Sequence, residues 1–252
     1  MNNKTKWSAQ LMVVLLCALG LKLFYSTASP DNLRWILAPT TRLVEFASGW
    51  RFTFESHAGY MSSDHSFLIA ASCAGVNFLI TAFLMLTLKK LWFDRFENIN
   101  WRFVPVAALM AYAATIITNA VRICVALRLQ EVRGEITWLS PNQLHRAEGI
   151  IVYFGFLWLL YVMTDREASK QRILFPLAVY YTTTLGFPLL NGAYRQGLEF
   201  GEHSFFVLVL PVLLVVPVLL AWFLIRVLLG CVRKNTEAQR KLQPNGFHPE
   251  RM

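Results

Sequence analysis

The sequence predicts an all-α integral membrane protein with about six transmembrane helices in one bundle, and three observations carry that expectation. Of its 252 residues, 56% are hydrophobic and only 15% charged, with a mean hydropathy of +0.44, which is too apolar for an ordinary soluble domain. Six runs approach the roughly 20 apolar residues that cross a bilayer, at approximately 7–25, 66–88, 103–129, 143–163, 173–191 and 204–229. The basic residues lie mostly between and after these runs, and unevenly on the two sides.

With six spans both termini share a side. If that side is cytoplasmic, fifteen Lys and Arg residues lie inside, among them Lys4, Lys6, Lys89, Lys90 and the group from Arg226 onward, against eight arginines outside. Every lysine is inside except Lys22, which lies within the first span. This orientation implies a multi-pass protein of the plasma membrane, most simply a bacterial inner membrane. Residues 1–229 then form a single polytopic domain, and 230–252, polar and carrying Pro244, Gly246 and Pro249, a disordered cytoplasmic tail. The net charge of +9 suggests nucleic acid at first sight, but no zinc-finger spacing, basic stripe or internal repeat supports it, so nucleic-acid binding is excluded.

The run from Trp7 to Tyr25 is longer than a signal-peptide core and reads as an uncleaved helix, with Ser26 to Ser29 as the alternative, a cleavage site. Between the first two spans lies an extracytoplasmic segment with room for a short amphipathic helix or strand. Ser29 and Pro30 suit a helix start, Leu33, Ile36 and Leu37 would lie on the membrane surface, and Pro39 would end the helix. Trp50, Phe52 and Phe54 alternate with Arg51, Thr53 and Glu55, a period of two that suits a strand able to pair with an extended peptide, or an aromatic belt at the headgroups. Pro176, Pro188, Pro211 and Pro217 are expected to kink the last two spans, with Thr182 to Thr184 satisfying freed carbonyls.

Three residues then share a depth. The second helix would run inward from Ser66, putting Cys73 about seven residues, roughly 10 Å, below its outer end; Arg122 would lie similarly deep in the third, and His145 in the first turn of the fourth. An arginine in an apolar span must pair, face a wet cavity or snorkel to the interface, and Asn119 one turn earlier makes a polar patch with it. Cys73 is either a small buried hydrophobe or a nucleophile; Ser72, Ala74 and Gly75 leave room for a substrate backbone, and Asn77 shares its helical face. His145, after a helix start at Ser140, Pro141 and Asn142, has Glu148 three residues on, either a surface pair or a carboxylate that orients the imidazole. His57, His65 and His203 are other outer candidates for a base. Cys17, Cys124 and Cys231 have less polar company, and no CxxC spacing indicates a metal or redox site; no cofactor is expected. Chemically, the set supplies Cys73 as nucleophile, His145 as general acid and base, and Arg122 as a fixed cation for thiolate or oxyanion, with Asn77, Asn119 and Glu148 in support.

The ordered segments SCAGVNF, TNAVRI and HRAEGIIVYFGF, covering about 66 to 160, resemble the exosortase and archaeosortase family, most closely the exosortase K subgroup. That resemblance implies Cys, Arg and His on successive membrane helices of a thiol protease and transpeptidase. Its substrates would be exported proteins with a C-terminal motif, a transmembrane helix and a basic cluster, cleaved through an acyl-enzyme and passed to an acceptor beside the membrane lipid. Many members have a CSG form around the cysteine; here Ser72 precedes Cys73 and Ala74 follows. The competing class is a small-solute transporter in which Arg122 binds an anionic substrate, although no paired interrupted segments mark two halves; a non-catalytic assembly factor is a third.

Overall fold

An apolar helix surrounded by other helices needs hydrophobic residues on every side, and the segment after Gly75 has them. Phe78, Leu79, Ile80, Ala82, Phe83, Leu84, Met85 and Leu86 are all buried. In the computed structural model, which describes residues 3–93, 101–131, 140–164, 174–190, 205 and 207–215, this segment is the central helix of the bundle. Residues 1–211 form one compact unit; of a second, 212–252, only 212–215 are described, and they are helical.

The helices are α1 (Asn3–Thr27), α2 (Arg34–Ser48), α3 (Val76–Phe93), α4 (Phe103–Glu131), α5 (Pro141–Thr164) and α6 (Phe175–Leu190), followed by helical residues at 207–211 within the first unit. Helices α1, α4, α5 and α6 all pack on α3. Among the described residues, four helical stretches are long and apolar enough to cross a membrane: Thr5–Thr27, Ala71–Trp92, Phe103–Gln130 and Gln143–Thr164. The first buries 17% of its apolar window within the protein and the second 72%, so α1 presents Met12, Leu15, Leu16, Leu19 and Leu23 outward, as a lipid-facing helix does, while α3 is sheathed by protein. The expected fifth span corresponds to α6, described over sixteen residues. Most of the expected sixth span and the whole of the tail, with Cys231, lie outside the described residues.

Side-chain bonds fix the helix directions. Trp7 Nε1 donates to the Leu91 carbonyl at 3.1 Å and Lys22 Nζ to Asn77 Oδ1 at 2.8 Å, so α1 lies antiparallel to α3 and is pinned near both ends. Lys89 Nζ donates to Thr164 Oγ1 at 3.2 Å, joining the C-terminal ends of α3 and α5, which makes those two helices parallel. Their N-terminal ends, bearing Cys73 and His145, therefore share one end of the bundle. In α6, Thr182, Thr183 and Thr184 return their hydroxyls to the carbonyls of Ala178, Val179 and Tyr180, and Thr183 also receives the Thr81 hydroxyl at 3.0 Å across to α3.

Three expectations are corrected between α1 and α3. Leu33, Ile36 and Leu37 do not lie on a membrane surface: with Thr40, Thr41 and Val44 they form the buried stripe of α2, which docks on α4. Pro39 does not end α2. It cannot donate to the Trp35 carbonyl one turn back, and Tyr112 of α4 supplies the missing donor at 2.7 Å with its ring stacked on Trp35, so the helix continues to Ser48. The second span does not begin as a helix at Ser66, because Leu68–Ile69 is a strand, Ala71–Ala74 a 3₁₀ turn, and Gly75, with φ +72°, separates that turn from α3.

The period-two segment does form a strand. β1 (Phe52–Glu55), β2 (Gly59–Ser62) and β3 (Leu68–Ile69) make an antiparallel sheet in the order β1-β2-β3, with Thr53 opposite Met61 and Met61 opposite Leu68. Phe54 packs edge-on against Tyr60, and the Arg34 guanidinium covers the Phe54 ring. Asp31 accepts from the backbone N–H of His57 and the Ser56 hydroxyl, holding the β1–β2 turn to the start of α2.

The β2–β3 connection is closed by Asp64, which accepts from the Ser62 hydroxyl at 2.6 Å, the Ser66 hydroxyl at 2.7 Å and the Ser66 N–H at 3.2 Å. Those bonds, the Ser62 hydroxyl foremost, hold its carboxyl at about 2, below its ordinary 3.8. A carboxyl depressed on folding stabilises the loop fully above its unfolded value, about pH 4, and loses that contribution as pH falls through about 2. Amide exchange across 62–67, corrected for intrinsic rates, is therefore expected to accelerate over that acid window and to lose this component in Asp64→Asn. Equal pH profiles for the two proteins would refute the assignment.

Candidate functional site

Residues four apart on a helix stack on one face, and α5 carries His145, Gly149 and Tyr153 in such a row with Glu148 beside it. A capping box starts that helix where the sequence places it: Ser140 N–H donates to Gln143 Oε1 at 3.1 Å, and Gln143 N–H to Ser140 Oγ at 3.3 Å. On α4, Thr115, Asn119 and Arg122 face this row and the turn that carries Cys73.

Arg122 does not snorkel. It is 9% exposed, donating from Nη1 to the Tyr153 hydroxyl at 3.1 Å and from Nη2 to His145 Nε2 at 2.9 Å, with its carbon centre 5.3 Å from the Tyr153 ring centroid. Its Nε is buried without a hydrogen-bond partner, against Gly149, where a Cβ would stand 3.3 Å away. The glycine in HRAEG is thus what lets the guanidinium lie flat on α5. Tyr153 passes its own proton to Asn119 Oδ1 at 2.9 Å, and Asn119 Nδ2 donates to the Cys73 carbonyl.

Guanidinium nitrogens only donate, so His145 Nε2 is the acceptor and the neutral ring carries its proton on Nδ1. Nδ1 stands 3.5 Å from Glu148 Oε2, longer than a full hydrogen bond. The Glu148 side chain is 4% exposed and its carboxylate has no hydrogen-bond partner, while the imidazole is 53% exposed. His145 therefore stands between the buried Arg122 guanidinium and the buried Glu148 carboxyl.

Cys73 is brought to the same end of the bundle, though not into contact. It is half-buried in the 3₁₀ turn, with its N–H bonded to the Ala70 carbonyl at 2.9 Å, and no hydrogen bond joins its thiol to His145 or Arg122. What links them is the relay from the Cys73 carbonyl through Asn119 and Tyr153 to Arg122 and His145. Asn77 does not join the relay, because it accepts from Lys22.

A cavity of about 320 Å³ opens beside this network, walled by Lys22, Tyr25, Asn77, Arg122, His145, Arg146 and Tyr153 among others; it reaches Ser72 and Gly75 but not Cys73 itself. That volume suits a few residues of an extended chain or a small solute. Among the described residues no three His, Cys, Asp or Glu side chains cluster as metal ligands. His57 pairs with Asp31 at 3.5 Å, outside the relay, Cys17 is exposed, and His203 lies outside the described residues. Sequence reasoning missed Tyr153, Gly149, Lys22 and Tyr25; for the first two, the i, i+4, i+8 row from His145 was the available signal.

Gly75 is required twice, for its positive φ and because a Cβ would stand 3.1 Å from Asn119 Cγ and 3.2 Å from Thr115 Cγ2. Gly75→Ala is expected to cost about 1–2 kcal/mol from the left-handed backbone alone and to push Asn119 off the Cys73 carbonyl. Detergent melting reads the first effect, and a changed alkylation rate of Cys73 against the Cys124 reference reads the second. A variant matching wild type in both would contradict this geometry.

Comparison with protein-family models, with curated proteins and with solved structures gave no match to this chain.

Proposed function

We propose that the chain is an integral-membrane cysteine peptidase and transpeptidase of the exosortase and archaeosortase kind, with Cys73, Arg122 and His145 as its catalytic residues. The observation that carries this is the continuous polar relay at one end of an apolar bundle, from the Cys73 carbonyl to the imidazole of His145. A packing cysteine, a snorkelling arginine and an interfacial histidine would have no reason to share it.

In this mechanism the incoming peptide occupies the cavity, and its scissile carbonyl takes an Arg122 N–H, releasing His145 Nε2. The imidazole then accepts the Cys73 thiol proton, and sulfur bonds to the carbonyl carbon. The oxyanion is held by the guanidinium. When the intermediate collapses, the carbon–nitrogen bond breaks and His145 returns its proton to the leaving amine. Water or another acceptor nucleophile next attacks the thioester, giving up a proton to His145, and Cys73 leaves as the thiol. Substrates are exported proteins ending in a short motif, one transmembrane helix and a basic cluster. The site faces the extracytoplasmic side of the plasma membrane, with six spans and both termini cytoplasmic.

Cys73→Ala is expected to leave such a precursor uncleaved, with Arg122→Ala and His145→Ala giving the same accumulation at normal membrane abundance. Processing that continues in Cys73→Ala would remove the proposal. One observation favours a second reading, a transporter of small anions: Lys22, Arg122 and Arg146 line the cavity whereas Cys73 does not. Anion uptake into liposomes by the purified protein, undiminished by Cys73→Ala, would select it.

A further inference from the structure

We propose that Tyr153 is a positioning residue for the nucleophile, setting the direction of the hydrogen bonds that hold the Cys73 turn; this rests on the peptidase reading above. The logic begins with the cation. Arg122 can only donate, so the Tyr153 oxygen must accept at 3.1 Å, and its single proton is left to point at Asn119 Oδ1, 2.9 Å away. With Oδ1 committed, the amide nitrogen faces the Cys73 carbonyl, which needs a donor. The opposite orientation of Asn119 would set two acceptors against each other at Cys73 and leave the Tyr153 proton without an acceptor. One hydroxyl thus converts the fixed charge of Arg122 into a fixed orientation of the nucleophile's backbone.

The ring is equally constrained. It stacks on Phe78 of α3 at 5.3 Å and lies under the Arg122 guanidinium, so the hydroxyl is held by α3, α4 and α5 together. Asn119 and Arg122 are fully or nearly buried, so water does not readily replace a lost partner. Turnover is sensitive to such support, because misplacing a reacting group by about 1 Å costs on the order of 100-fold.

The test uses the full-length protein in membranes and the precursor that accumulates in Cys73→Ala cells. Tyr153→Phe keeps both ring contacts and removes only the oxygen. It is expected to lower kcat about 10- to 100-fold while KM, membrane abundance and the alkylation rate of Cys124 stay at wild-type values. Asn119→Ala should lose about as much. The double variant should be slower than the worse single by no more than about twofold, since both break the same relay. Multiplied losses would mean independent roles and would overturn the relay. Wild-type kcat in Tyr153→Phe, with Cys73→Ala inactive, would overturn the role of Tyr153 alone, whereas cleavage undiminished in Cys73→Ala, or no precursor accumulating there, would remove the peptidase reading beneath it. Should Tyr153→Phe fail to reach the membrane, Asn119→Asp keeps the acceptor toward Tyr153 and deletes the donor toward Cys73; the same loss of kcat is expected, and wild-type turnover would refute the relay.

Discussion

Burial of the Arg122 guanidinium is the constraint on which the rest of this site depends. A cation inside an apolar span is costly by several kcal/mol unless its donors are answered, and here one face of α5 answers both terminal nitrogens. Tyr153 and His145 accept from it, and Gly149 gives it room. Because the guanidinium has no acceptor, its presence dictates the proton positions around it: the imidazole proton sits on Nδ1, the tyrosine proton on the Asn119 side, and the asparagine amide toward Cys73. The Glu148 carboxyl lies on the far side of the imidazole, 3.5 Å from Nδ1.

Much of this was legible in the sequence because apolar runs and helical spacing are local properties. The limits of α1, α4 and α5, the helix start at Ser140, the pairing of His145 with Glu148 and the grouping of Arg122 with Asn119 all follow from patterns within one segment. What was not legible depends on partners far along the chain. The stripe from Leu33 to Val44 reads equally well as facing lipid or α4, since both are apolar, and the packing chose α4. Pro39 ends a helix only where nothing replaces its missing donor, and the replacement, Tyr112, lies 77 positions away from the carbonyl it caps. Lys22 looked like an anomaly in the first span until Asn77 was found opposite it.

The three strands and α2 add a small ordered layer at the end of the bundle where Cys73 and His145 lie. It is tied to the helices through α2 on α4 and through β3, which runs directly into the Cys73 turn. A contiguous set of elements thus leads from the sheet into the Cys73 turn, while His145 and Arg122 come from helices that begin or end at the same level. This division matters for the proposed chemistry. His145 must exchange Arg122 for the thiol, and its half-exposed imidazole is open to the solvent side of the network.

The left-handed break at Gly75 has a mechanical consequence. The direction of α3 is set by the four helices packed on it. The Cys73 turn has a separate attachment. Its carbonyl is fastened to Asn119, and the glycine between turn and helix works as a pivot. The backbone of the Cys73 turn is therefore tied to α4, the helix that carries Arg122, and not only to the helix it precedes in sequence.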